Sequence, residues 1–197
     1  MKEIFIETQL GQVYGHTAGD PTHPLVLGIH GWSQRNGWHT WEALMEPLAA
    51  ASFYVVSVDM PGWGKSAPVN EPLRGEKAVA AARAILDGLQ VGKAVLMGKS
   101  WGGGVALNLA LAHPARVSKL ILTAPAFSGA MTGLRQLTQP VLMAWAEDDP
   151  VIPIRYASQY QNVIPNMQLE TYPTGGHNAA MKNAAAFAPL AIQFLKT

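Results

Sequence analysis

Ser100 stands between glycines in the run Ala94-Val95-Leu96-Met97-Gly98-Lys99-Ser100-Trp101-Gly102-Gly103-Gly104. Four apolar residues lead into it and an Ala/Leu-rich stretch follows, so the serine falls at a strand-to-helix turn. A Gly-x-Ser-x-Gly turn of this kind forces the serine into strained backbone, and its glycines let strand and helix approach without side-chain clashes. The hydroxyl is then held up at the C-terminal edge of a sheet. At neutral pH a serine hydroxyl is a weak nucleophile. It needs a base within hydrogen-bond reach, and the base needs a group to orient it.

Downstream the chain offers Asp148 and Asp149 after the apolar run 141–145, and His177 in Gly175-Gly176-His177 after the run 167–172. Serine, then acid, then histidine is one of the chain orders in which such triads occur. His177 is singled out because it follows the last strand in a Gly-rich loop; His16, His23, His39 and His113 have no such setting. Neighbouring side chains on extended backbone point to opposite sides, so only one of Asp148 and Asp149 can face His177. Pro150 biases Asp149 towards extended backbone, which favours Asp149. Acyl transfer also needs donors for the charge that develops on a carbonyl oxygen. The backbone N–H groups of Trp101 and of Trp32, in His30-Gly31-Trp32, are placed to serve. His30 is expected to brace that loop rather than react. The Trp32 and Trp101 rings would wall the site or simply pack.

The elements that must position these groups alternate between strand and helix. Residues 3–9 and 11–17 read as a hairpin. The runs 25–29, 54–58, 119–123, 140–145 and 167–172, with the strand entering Ser100, read as buried strands. Between them Thr40 is a plausible N-cap for a helix carrying Trp41, Leu44 and Leu48 on one face. Residues 75–90 form a helix with Val79, Ala82, Ile85, Leu86 and Leu89 inward. Further helices follow Ser100 and cover 155–163 and 184–195. Such alternation predicts an α/β fold, a mostly parallel sheet with helices on both faces, in a single domain over 1–197.

The net charge of +1 and the absence of a Lys/Arg cluster argue against a nucleic-acid partner, and the absence of cysteine excludes disulfides and thiol catalysis. The N-terminal residues lack the apolar run of a signal peptide, and no stretch is long enough to span a bilayer, so a cytoplasmic protein is expected. Gly64-Lys65-Ser66 and Gly98-Lys99-Ser100 imitate a phosphate-binding loop, but Asp59 and Lys93 occupy the position of its first glycine. No metal-ligand spacing is present.

Taken together, His30-Gly31-Trp32, Asp59-Met60-Pro61-Gly62-Trp63-Gly64-Lys65-Ser66, the Ser100 turn, His113-Pro114-Ala115-Arg116-Val117, Glu147-Asp148-Asp149-Pro150-Val151-Ile152-Pro153 and Gly176-His177 resemble the α/β-hydrolase fold family over nearly the whole chain. The resemblance implies a serine hydrolase with Ser100, Asp149 and His177 as its triad and Ser66 in a structural turn. It supports Asp149 through a Gly-x-x-Asp-x-x-x-Pro pattern filled by Asp149 and Pro153, with Ala146 in place of the glycine. Only residues 126–138 occupy the interval where relatives carry a cap domain. The size and the missing cap resemble the small capless members grouped with alpha/beta-hydrolase domain-containing protein 14. Phe127 and Met131 are the expected mouth residues. Lys99, where such turns often have His, Gln or Asn, either favours an acidic substrate group or is a solvated side chain.

The activity expected is hydrolysis of a small-molecule carboxylic ester or related acyl group without a cofactor or metal. The same residues would serve an acyltransferase, a protein deacylase, a perhydrolase or a cofactor-free haloperoxidase. A ligand-sensing or partner-binding protein with little turnover is the reading from another class.

Overall fold

The computed structural model describes residues 1–197. Eight strands form one sheet: β1 (Lys2–Thr8), β2 (Gly11–Ala18), β3 (Leu25–Ile29), β4 (Tyr54–Val58), β5 (Ala94–Lys99), β6 (Val117–Thr123), β7 (Val141–Ala146) and β8 (Met167–Tyr172). Their spatial order is β1-β2-β4-β3-β5-β6-β7-β8. The β1–β2 and β2–β4 pairs are antiparallel, and every pair from β4 to β8 is parallel. The helices are α1 (Glu42–Ala50), α2 (Glu76–Gly88), α3 (Trp101–Ala112), α4 (Ala157–Gln161), α5 (Ala179–Lys182) and α6 (Ala184–Lys196).

The central strands are apolar throughout because both faces are covered. In β5, Ala94 and Leu96 join the core shared with α2 and α3, while Val95 and Met97 join the core shared with α1, α5 and α6. This is the two-residue alternation of a strand buried on both sides. Trp41, Leu44 and Leu48 of the first helical region share one buried face as expected. Each large apolar side chain removed from water there contributes roughly 1.5–3 kcal/mol.

Three local expectations are corrected. Thr40 does not cap α1: a 3₁₀ turn, Trp38–Trp41, leads into the helix, and the buried Thr40 Oγ1 has no hydrogen-bond partner. Leu89 falls just past α2 and is half-buried, because that helix stops at Gly88. The segment 155–163 is broken: a 3₁₀ turn, Ile154–Tyr156, precedes the five-residue α4. Between β6 and β7 there is only a loop with a 3₁₀ helix, Met131–Gln136. No helix is long and apolar enough to cross a membrane.

The chain leaves β3 for one neighbour, β4, and later places β5 on the opposite side of β3. Such a reversal opens a crevice beyond the C-terminal strand ends, where open α/β sheets bind ligands. The segments after β3, β5, β7 and β8 meet at that edge, and they carry Trp32, Ser100, Asp149 and His177.

Candidate active site

Ser100 is the hinge between β5 and α3. Its φ of 51° and ψ of −117° lie in a region L-residues rarely adopt. Strain of this kind costs on the order of 1–3 kcal/mol and persists only where the surroundings hold it. Here the Ser100 N–H donates to Thr123 O at 3.0 Å, and Ser100 O accepts the N–H of Ala126 at 2.8 Å and of Gly104 at 3.1 Å. The flanking glycines are needed for close approach. A Cβ at Gly98 would sit 2.6 Å from Gly103 Cα, and one at Gly102 would sit 2.4 Å from His30 O. The helix start therefore packs directly on the end of β3, which brings the Trp32 loop beside the serine.

His177 and Asp149 meet across the ends of β8 and β7. His177 Nδ1 and Asp149 Oδ2 are 2.8 Å apart, and the Asp149 side chain is fully buried. Asp149 Oδ1 accepts N–H bonds from Val151 at 2.8 Å and Ile152 at 3.0 Å, which lock the carboxylate plane. With Nδ1 donating to the carboxylate, the other ring nitrogen is an acceptor. That atom, Nε2, is buried and has no hydrogen-bond partner. It is not bonded to the Ser100 hydroxyl, the looser arrangement that catalytic pairs often show before a substrate tightens them.

Asp148 has a separate task. Its Oδ1 accepts the Gly176 N–H at 2.7 Å, so it grips the loop one residue before His177. As the neighbour left over once Asp149 is the acid, Asp148 is expected to be a loop or backbone-capping carboxylate; the backbone N–H it caps lies 28 positions away, which the sequence did not indicate.

The loop after β3 is equally constrained. His30 is fully buried, its Nε2 accepts the Met60 N–H at 3.0 Å, and its Nδ1 lies 2.7 Å from Gly31 O. Because Nε2 must accept, the proton sits on Nδ1 and is donated to Gly31 O. Burial pushes the His30 pKa down to about 4, the Gly31 hydrogen bond only partly opposing it. The ring is thus a neutral brace. Trp63 Nε1 donates to Trp32 O at 3.1 Å. The Trp32 and Trp101 rings meet edge-on at 5.4 Å, and Trp63 stacks on Trp101 at 5.1 Å. Trp101 opens α3, where backbone N–H groups have no intrahelical acceptor. Ser66 Oγ donates to Asp59 O and accepts the Tyr14 N–H, so it is tied into a turn.

Lys99 is not solvated. Only 6% of it is exposed, and its Nζ donates to Asn36 Oδ1 at 3.2 Å in the loop after β3. Burial lowers its pKa, and the Asp149 charge pulls it partly back. Its neighbours are Gly31 and Asn36, brought over it by the β3–β5 pairing, which a local reading of the turn does not include. Phe127 and Met131 pack partly buried against the core. The cavity beside the serine, of about 350 Å³, is walled in that region by Ala126 and Ser128 instead. The Phe127 ring is folded back under Gly129, and its backbone N–H donates to Tyr160 Oη at 3.3 Å. No group of three or more His, Asp or Glu side chains is arranged to hold a metal ion.

Residues 24–134 and 128–184 match the family model described as alpha/beta hydrolase fold. A curated relative, the 2-hydroxy-6-oxononadienedioate/2-hydroxy-6-oxononatrienedioate hydrolase of Cupriavidus pinatubonensis, is 25% identical over 248 aligned positions, covering 86% of each chain. That alignment is longer than the 197-residue chain, so it passes over residues present in only one of the two. The corresponding hydrolase 1 of Dechloromonas aromatica is 38% identical over 113 residues, which are 56% of this chain and 39% of that protein. Among solved structures, a CIB-like hydrolase from Thermoplasma acidophilum superposes with a TM-score of 0.90 at 26% identity, covering 98% of this chain and 97% of that one. With most of its length matched and the sheet order described above, the chain belongs to the alpha/beta hydrolase fold family.

Proposed function

We propose that this chain is a serine hydrolase that cleaves a carboxylic ester or related acyl bond through an acyl-enzyme on Ser100. The observation that carries the reading is the His177–Asp149 pair at 2.8 Å, whose second ring nitrogen is buried and unpartnered. In this reading His177 Nε2 takes the Ser100 proton as Oγ attacks the carbonyl carbon. The N–H groups of Trp101 and Trp32 receive the charge on the carbonyl oxygen. His177 then gives its proton to the leaving group. Water attacks the acyl-enzyme with His177 again as base, and the free acid and the serine hydroxyl are restored. Asp149 keeps Nδ1 protonated throughout and stabilises the imidazolium.

The short connection between β6 and β7 supports a mouth open to bulky acyl or alcohol groups. Water is excluded less completely there, so rates are expected to be modest. An acyltransferase or deacylase would use the same groups with another acceptor or acyl donor.

The test is labelling by a fluorophosphonate, with the modified residue located by mass spectrometry. Label on Ser100 supports the reading, together with loss of labelling and a fall in esterase turnover of about 10⁴-fold or more in Ser100→Ala. Label on Ser66, or an alanine variant that labels fully, overturns it. Turnover well beyond one equivalent of ester per chain separates a hydrolase from a ligand sensor.

A further inference from the structure

A cavity lined by neither Ser100 nor His177 opens next to the serine turn and follows the Trp101, Gly104, Val105 and Asn108 face of α3, with Trp32 at the Trp101 end. At 1.5 Å per residue that floor is about 10 Å long. Its polar contributors are the Arg74 guanidinium, the Asn108 amide and the Ser128 hydroxyl, and no acidic residue lines it. Arg74 takes part in none of the chain's ion pairs. Its guanidinium lies 5.0 Å from the Trp32 ring centroid, a cation–π contact that holds the head over the cavity. Asn108 Nδ2 spends one N–H on Gly104 O at 2.8 Å and has a second to offer.

A cavity that begins at Trp101, one residue past Ser100, and carries an unpaired guanidinium at its Trp32 end suits a short aliphatic chain ending in an anion. A planar guanidinium matches a carboxylate through two parallel hydrogen bonds. We infer that this cavity is an acyl-chain subsite selective for acyl groups that end in a carboxylate, with Arg74 as its anchor and Asn108 and Ser128 as supporting donors. The inference rests on the serine-hydrolase reading for its chemistry, but the carboxylate site itself can be read without turnover.

The experiment compares mono-p-nitrophenyl adipate with p-nitrophenyl hexanoate, esters of equal chain length that differ in the terminal carboxylate. Each is assayed on the wild-type chain, Arg74→Ala and Arg74→Lys. The ratio of kcat/KM for the adipate over the hexanoate is expected to fall about tenfold in Arg74→Ala and to be partly kept in Arg74→Lys. An unchanged ratio in Arg74→Ala overturns the inference. In parallel, adipate is titrated against tryptophan fluorescence, since Trp32 and Trp101 border the cavity. Saturable quenching that weakens about tenfold in Arg74→Ala supports the subsite even if neither ester turns over, a result that would overturn the serine-hydrolase reading alone. Equal quenching in both chains, or none in the wild type, overturns the subsite.

Discussion

Asp149→Asn is an isosteric change whose effect follows from which oxygen of the carboxylate does what. Asp149 Oδ1 accepts two backbone N–H bonds, from Val151 and Ile152, and Oδ2 faces His177 Nδ1. An asparagine keeps its carbonyl oxygen on the Oδ1 side, because turning the amide over would set an NH₂ against two N–H donors. That flip would cost on the order of 1–3 kcal/mol for each buried group left unpaired. The amide nitrogen therefore faces His177 Nδ1, and two donors cannot share one contact. The imidazole moves its proton to Nε2, the atom that takes the serine proton in the proposed mechanism. The wrong tautomer with intact geometry is expected to lower kcat by up to about 10⁴-fold. Asp148→Asn, by contrast, still presents an oxygen to the Gly176 N–H and loses only the charge on an exposed contact; less than about tenfold is expected. The assay is steady-state hydrolysis of a p-nitrophenyl ester, with circular dichroism and Tm measured to show that both variants fold. If folded Asp149→Asn keeps more than about a tenth of kcat, or Asp148→Asn proves the worse variant, the assignment of the acid is wrong.

Two further predictions concern buried titratable groups. His30 has its pKa lowered to about 4 by burial. Below the ordinary value of 6.5 the unfolded chain therefore binds a proton that the folded chain refuses, and stability falls as pH drops from 6.5 towards 4, by up to about 3 kcal/mol. His30→Gln should flatten the decline of Tm between pH 7 and pH 4.5; an offset from wild type that stays constant with pH would contradict this. Lys99 is also lowered by burial, so wild-type stability rises as pH climbs from its lowered pKa to the ordinary 10.5. Lys99→Met removes a poorly paired buried charge and should raise Tm most at pH 7, with the gain shrinking towards pH 10. A gain that does not depend on pH would count against the burial argument.

The sequence by itself determined the features that are local in the chain. Apolar runs of five or six residues read as strands because a parallel sheet buries both of their faces, and β3, β4 and β8 occupy the spans their patterns predict. The Ser100 turn was legible because crowding between a strand end and a helix start demands glycine on both sides. His177 was legible from its place after the last strand. Asp149 pairs with His177 as expected, but not through strand alternation: β7 ends at Ala146, Asp148 lies in a turn, and both carboxylates reach the His177 loop, Asp148 through the Gly176 N–H.

What the sequence left undecided depends on distant residues that only folding makes adjacent. The burial of Lys99 is decided by Asn36, 63 positions away, and the task of Asp148 by Gly176, 28 positions away. Thr40 has good capping chemistry, yet the N–H of Thr40 itself closes a 3₁₀ turn on Gly37 O, so it lies inside helical structure rather than at its start. The cavity wall fell to Ala126 and Ser128 because Phe127 turns inward, a choice set by Gly129 and Tyr160. Arg74 carried no pattern at all. Its meaning comes from the ring of Trp32 beneath it and from the face of α3 opposite, contacts that exist only once α2 and α3 pack side by side on the sheet. Hydrophobic periodicity and turn chemistry act over a few residues, whereas the surroundings of a charge are set by whichever strands the sheet order brings together.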